Sequence, residues 1–272
     1  MSALRSLRLA LFPLLLAACF APAARGSNDP LNFHLSDSGA PPWLYLMPGG
    51  NRPQGVVADI LDEAARTAKR QLRYEFLPRE RTTDSLRSGH ADGALFFSVT
   101  RPPGRELVLT EPLARLDSVL VTLAENPVNY RLPSNLKDRK LCTLTEELYP
   151  PLALLSMQGK LWQSRAKTEQ AALMILRTEG CVAAILSGPA FRWLSTRYDW
   201  TDMRIEPKPL LNENLVLGFA ARERDFAETV NRTVRGMRDS GRLAKLVDRW
   251  LPADNAAGLR DTRHLPPRVG VR

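Results

Sequence analysis

The chain has 272 residues, 44% of them hydrophobic and 25% charged, which is enough apolar material for one large core or two small ones and excludes disordered and fibrous classes. Its formal charge of +9 falls to +7 once Arg5 and Arg8 of the first 24 residues are set aside. The remaining Lys and Arg are scattered among acids, with no basic run interleaved with aromatic residues, so a nucleic-acid groove is not expected.

Residues 1–24 start with two arginines, continue through an apolar stretch at 9–18 and end in small residues. The apolar stretch is shorter than the roughly 20 residues a membrane-crossing helix needs, so the segment reads as an export signal. Two processing sites compete. Ala21-Pro22-Ala23 fits ordinary secretory cleavage, and Leu16-Ala17-Ala18-Cys19 resembles a lipobox that would leave Cys19 as a lipidated first residue. Either way Cys142 and Cys181 remain. In an oxidising compartment an even pair favours a disulfide over two buried thiols, and a loop of this length would stabilise the fold by about 4 kcal/mol. No Cys/His spacing points to a metal.

From residue 31 the text alternates short apolar runs with helical patterns, the mark of α/β architecture. Strands are expected at 31–36, 72–77, 91–99 and 113–124, with helices at 57–69 and 81–88. Val57, Ile60, Leu61, Ala64 and Ala68 recur at helical spacing on one face of the first helix. After a polar stretch at 126–134 the rhythm restarts. Strands are expected at 141–144 and 181–186, helices near 150–158, 168–178 and 189–197, a strand at 215–220, and helices carried by Phe226, Val230, Val234, Met237 and by Leu243, Leu246, Val247, Trp250. Residues 253–272 read as a flexible tail. A second α/β unit therefore looks inserted into a first: lobe 1 at 28–121 plus 217–252, lobe 2 at 122–216, with connections near 121–126 and 212–217 that can act as a paired hinge. Ligands favour the cleft between such units.

Four stretches in the right order carry a likeness: GVVADILDEA at 55–64, LRSGHADGALFFSV at 86–99, SVTRPPGRELVLTEPL at 98–113 and GRLAKLVDRWL at 241–251. Over roughly residues 28–252 the chain resembles the extracellular solute-binding proteins of the polar-amino-acid family 3, receptors of ABC importers. The resemblance implies a type II two-lobed periplasmic-binding-protein-like fold, each lobe a mostly parallel sheet flanked by helices, with two hinge strands. It also implies a monomer that binds a small-molecule solute by closing, with an inner-membrane ABC transporter permease or sensor as its partner.

Site residues follow from the same likeness. The family places a ligand-stacking aromatic just after the first strand, where this chain has Trp43 and Tyr45. It then has a Ser/Thr-rich loop, here Ser98 and Thr100, and an arginine that grips a carboxylate. Arg105 matches by setting and Arg101 competes with it; a surface ion pair is the ordinary alternative for Arg105. Arg81 has the setting of a cleft-facing arginine, or of a plain helix-surface one. Thr143, Thr145 and Ser187 are the hydroxyl candidates of lobe 2, with Thr145 serving equally as a helix cap. The pattern departs from the family where its amino-acid receptors carry an acid for the ligand's ammonium: Ala183, Ser187 and Gly188 bring no charge. Glu111, Glu146 or Glu147 would have to substitute. His34, His90 and His264 form no catalytic or metal spacing, and no nucleotide or hydrolase motif is present. The expectation is a periplasmic binder of a carboxylate-bearing solute, without cofactor and without catalysis. The alternatives are an envelope sensing protein with a degenerate cleft and a dehydratase-like enzyme on the same fold.

Overall fold

The computed structural model describes residues 29–36, 39–47, 49–78, 81–98, 107–145 and 149–251. The readings at 1–24, Cys19 included, and at 253–272 lie outside the described residues, as do Thr100, Arg101, Arg105, Glu146 and Glu147.

Strand β1 (Leu31–Ser36) is followed by helix α1 (Val56–Thr67), β2 (Leu72–Leu77), α2 (Thr82–Ser88) and β3 (Gly93–Ser98). β1 pairs in parallel with β2 and with β3, as strand-helix-strand units must when the helix serves as the crossover. Val57, Ile60, Leu61 and Ala64 are fully buried against β1, because a 3.6-residue repeat puts them on one stripe. Next come β4 (Leu107–Leu109) and the long β5 (Ala114–Leu123).

The second half holds β6 (Arg139–Leu144), α3 (Ala153–Met157), β7 (Leu161–Ala166), α4 (Glu169–Thr178), β8 (Ala183–Ser187) and α5 (Gly188–Tyr198). β6 pairs in parallel with β7 and β8. The chain then runs through β9 (Met203–Ile205) into the long β10 (Leu211–Ala220), and helices α6 (Arg224–Asp239) and α7 (Arg242–Trp250) close it on the first half.

The described strands form one continuous sheet in the order β2-β1-β3-β10-β5-β8-β6-β7, in which two long strands join the parallel strands of the two halves. The reason is local. Residues 211–215 of β10 pair antiparallel with 114–118 of β5, while β10 continues along β3 and β5 continues along β8. The two long strands are thus shared, and they form a waist between two parallel three-strand units. The cores respect that waist. One large apolar cluster lies under α1, α6 and α7 in the first unit. Two others cover the two faces of the second, around Leu173, Leu176 and Leu194 and around Leu120, Leu136 and Leu152.

Cys142 and Cys181 are bridged, with Cα atoms 5.7 Å apart. Parallel pairing of β6 with β8 puts Cys142 opposite Ala184 and brings the residues ahead of β8 alongside β6. The polar stretch after β5 is tied down by a buried carboxylate: Glu206 accepts from the Val128 and Tyr130 amides at 3.2 and 3.0 Å.

Candidate functional site

In both units the parallel strands run toward the same inter-unit gap, and the loops after β1, β7 and β8 carry the residues that face it. One wall of a crevice of about 210 Å3 comes from Ser36, Tyr45, Met47 and Phe76 of the first unit; the opposite wall comes from Glu169, Trp193, Arg197 and Tyr198 of the second.

Tyr45 lies in the loop between β1 and α1 and is bound by backbone pairing to Gln54. Its ring meets Trp193 of α5 edge-on with centroids 5.0 Å apart, and meets Trp250 of α7 at 6.2 Å. Burial raises its phenol pKa above the ordinary value, while the Arg197 guanidinium and a hydrogen bond from Trp193 pull the other way. At neutral pH Tyr45 is therefore an uncharged polar group in an aromatic wall. Arg197 sits one helical turn after Trp193 and lies 5.3 Å over its ring, so the second unit presents a cation on an aromatic platform. Trp193 also packs against the cores of both units.

The sequence-expected residues divide clearly. Tyr45 lines the crevice. Trp43 does not: it is 1% exposed and belongs to the core under α1. The carbonyls of Pro42 and Trp43 accept from the Val56 and Val57 amides. They thereby satisfy otherwise unpaired N–H groups at the start of α1 and turn the indole inward. Thr143 is likewise fully buried, in the part of β6 that is covered on both faces. Thr145 is exposed, with its hydroxyl on the Ala166 carbonyl at 3.1 Å. Ser187 caps α5 by accepting from the Ala190 amide at 3.2 Å. Arg81 is an exposed residue at the start of α2. Ser98 ends β3 with its backbone opposite Asn214. Of the possible ammonium partners, Glu111 is engaged with Arg235 of α6 at 2.8 Å.

Trp193, Arg197, Tyr198, Glu169 and Phe76 were not singled out from the sequence. A signal for two of them existed. Trp193 and Arg197 stand four apart in an expected helix, a spacing that places an aromatic and a cation on one face. Nothing in the sequence said that this face would meet the other unit.

The family model for bacterial extracellular solute-binding proteins, family 3, matches residues 34–253. No curated protein sequence matches the chain. Among solved structures, the chain is similar to a variant of ArgBP from T. maritima, at 18% identity and a TM-score of 0.69, covering 81% of this chain and 94% of that one. The GluR0 ligand-binding core in complex with L-glutamate has 16% identity and a TM-score of 0.71, covering 83% and 100%. A histidine kinase sensor domain with similarity to periplasmic binding proteins has 15% identity and a TM-score of 0.72, covering 84% and 98%. At these identities the structures speak for the fold, a type II periplasmic-binding-protein-like architecture. With its family model spanning most of the sequence, the chain belongs to the bacterial extracellular solute-binding proteins, family 3.

Proposed function

We propose that the protein captures a small, carboxylate-bearing, amino-acid-like solute between its two lobes in the periplasm and presents the closed form to an ABC transporter permease. The observation that carries this reading is the crevice itself. Its walls come from both units, and the two units are joined through the paired strands β5 and β10. A body built this way can trade solvent-exposed walls for ligand contacts by bending at the waist, and only contacts made better in the closed state favour closure. In this reading the lobes are 28–121 plus 217–252 and 122–216, with the hinge in the shared strands.

In this reading Arg105 or Arg101 grips the carboxylate through a two-pronged guanidinium contact. Tyr45, Trp193 and Arg197 form the aromatic and cationic wall, and Thr145 and Ser187 supply hydroxyls. The amino-acid character is supported by the likeness to ArgBP and to the GluR0 core with L-glutamate. No acid directly follows β8; Glu169 is the carboxylate of the crevice wall.

The test is a thermal-shift screen of the purified protein against amino acids, polyamines, dicarboxylates and small anions, repeated with Arg105→Ala and Arg101→Ala. A cognate solute at a hundred times its Kd adds about 2.7 kcal/mol of stability, which a melting curve resolves. One of the two variants should lose the shift. A screen without any hit overturns the reading, and a hit untouched by both substitutions overturns the anion grip.

A second reading is favoured by one contact. Tyr45, Trp193 and Trp250 join the two units through their own rings, as a sensing protein that passes its state to a membrane partner would require. The sensor domain among the similar structures supports it. Such a protein gives no thermal shift yet retains a membrane partner in pull-downs.

A further inference from the structure

A second crevice, of about 610 Å3, opens on the first unit and shares no wall with the one between the units. Its walls carry three guanidiniums, Arg52, Arg66 and Arg70, against the single carboxylate Asp62. We propose that this crevice is a binding site for a phosphate-bearing anion, held by Arg66 and Arg70 and by the hydroxyl of Tyr74.

The argument begins with how the cations are held. Asp62, Arg66 and Arg70 follow one another at four-residue steps along and just beyond α1, so they share one wall. Arg70 donates through Nε and one terminal nitrogen to the Asp29 carbonyl at 3.0 and 2.8 Å, and reaches Glu223 at 3.3 Å. Its side chain is largely buried and therefore fixed in place. Arg52 pairs with Asp62 across the mouth. Arg66 has no direct ion pair among the described residues, although Asp59, Asp62 and Glu63 line the neighbouring crevice with it.

The negative end of α1 does not cancel this field. The Ala64, Ala65 and Arg66 carbonyls are taken by the Ala68, Arg70 and Lys69 amides, which caps the last turn. The Tyr74 hydroxyl is buried and has no hydrogen-bond partner among the described residues. A buried phenol without a partner forfeits a hydrogen bond that it could make to an entering ligand. Burial, with nearby Asp62, raises its pKa well above the ordinary tyrosine value, so it stays a donor at any physiological pH.

With Arg52 offset by Asp62 and Arg70 by Glu223, the lining keeps a formal excess of one charge, that of Arg66, for an entering anion. A tetrahedral oxyanion also offers enough lone pairs for several planar donors at once. The apolar remainder of the wall, Pro53, Ala65 and Leu72, would take the organic part of a phosphate ester. That ester could be a soluble metabolite or the headgroup of an anionic phospholipid.

The test uses the purified protein. Calorimetric titration with inorganic phosphate and with glycerol 3-phosphate reads the soluble source. Cosedimentation with phosphatidylglycerol vesicles, against phosphatidylcholine vesicles, reads the headgroup. Saturable binding to the soluble phosphates is expected for a metabolite source, and selective binding to phosphatidylglycerol for a headgroup. In either case Arg66→Ala should weaken it about tenfold or more and Tyr74→Phe severalfold. Arg66 is exposed at the end of its helix, so the unliganded melting temperature of Arg66→Ala should stay near that of the wild type. Arg73, also exposed and adjacent to Tyr74 on the alternate face of β2, is the control, and Arg73→Ala should change nothing. Absence of binding to every one of these probes overturns the proposal. So does equal binding by Arg66→Ala and wild type, or an equal loss in Arg73→Ala, which would mean diffuse surface charge.

Discussion

Gly55 explains much of what happens to Trp43. It precedes α1 with a φ of 117°, a backbone region that side-chain-bearing residues rarely adopt. A Cβ there would collide with the Trp43 and Pro42 carbonyls, the same two that close the start of the helix. A tryptophan in a proline-stiffened loop looks like a ligand platform in the sequence, but this close approach makes it core. On the opposite unit, Arg177 holds Asp202 in a two-pronged contact at 3.0 and 2.6 Å and lies over the Trp200 ring at 4.9 Å. The hydrogen bond from Arg177 is the chief cause that lowers the Asp202 carboxyl below the usual carboxylate range. A carboxylate whose folded pKa is depressed contributes stability that is fully present above its unfolded value and is lost as pH falls through the folded one. Arg177→Ala should therefore raise the Asp202 pKa toward the ordinary value in an NMR titration and flatten the acid-side fall in melting temperature. The effect on stability will be small because both groups are partly solvated.

At the scale of elements, expectation and structure agree best where an apolar repeat is long. Helix α1 and helix α6 carry buried stripes that are unmistakable in the text, Val56 to Ala65 and Phe226 to Met237. Strand β7 was missed: it is an edge strand whose Trp162 is exposed, and its polar, half-solvated sequence gives no apolar run. The three-residue strands β4 and β9 are too short for any period. The stretch at 126–134 read as a boundary because it is polar and contains prolines. Its order comes from Glu206, which is more than 70 residues away in sequence. The disulfide ties β6 to the residues ahead of β8 across a separation of 39. Replacing both Cys142 and Cys181 by serine should lower unfolding stability by about 4 kcal/mol, from the loop entropy returned to the unfolded chain. A denaturant titration with and without reductant checks it; reductant should move the wild type toward the variant and leave the variant unchanged.

For the molecule as a whole, the waist and Trp193 act against each other. In the proposed function the shared strands are the hinge, while Trp193 of α5 packs on both cores and meets Tyr45 across the gap. Trp193→Ala removes that contact and should shift the solute-free population toward more open forms. Small-angle scattering would register this as a larger radius of gyration without solute and a greater decrease on adding a cognate solute. An unchanged radius in the variant would mean that the aromatic contact does not hold the units together.

The amino-acid sequence by itself determined the α/β class and the order of most elements, because these are written in local periodicity and chain order; it favoured the bridge between Cys142 and Cys181, which the structure shows. Family membership was legible in four short stretches. Only the tertiary structure decided that Trp43 and Thr143 are core while Tyr45 lines the crevice, that one sheet runs through both units, and that Trp193 and Arg197 stand opposite Tyr45. The physical reason is the same for all three. Which side of a loop or helix is buried depends on what the remainder of the chain brings against it, as Trp193 of the second unit is brought against Tyr45 of the first.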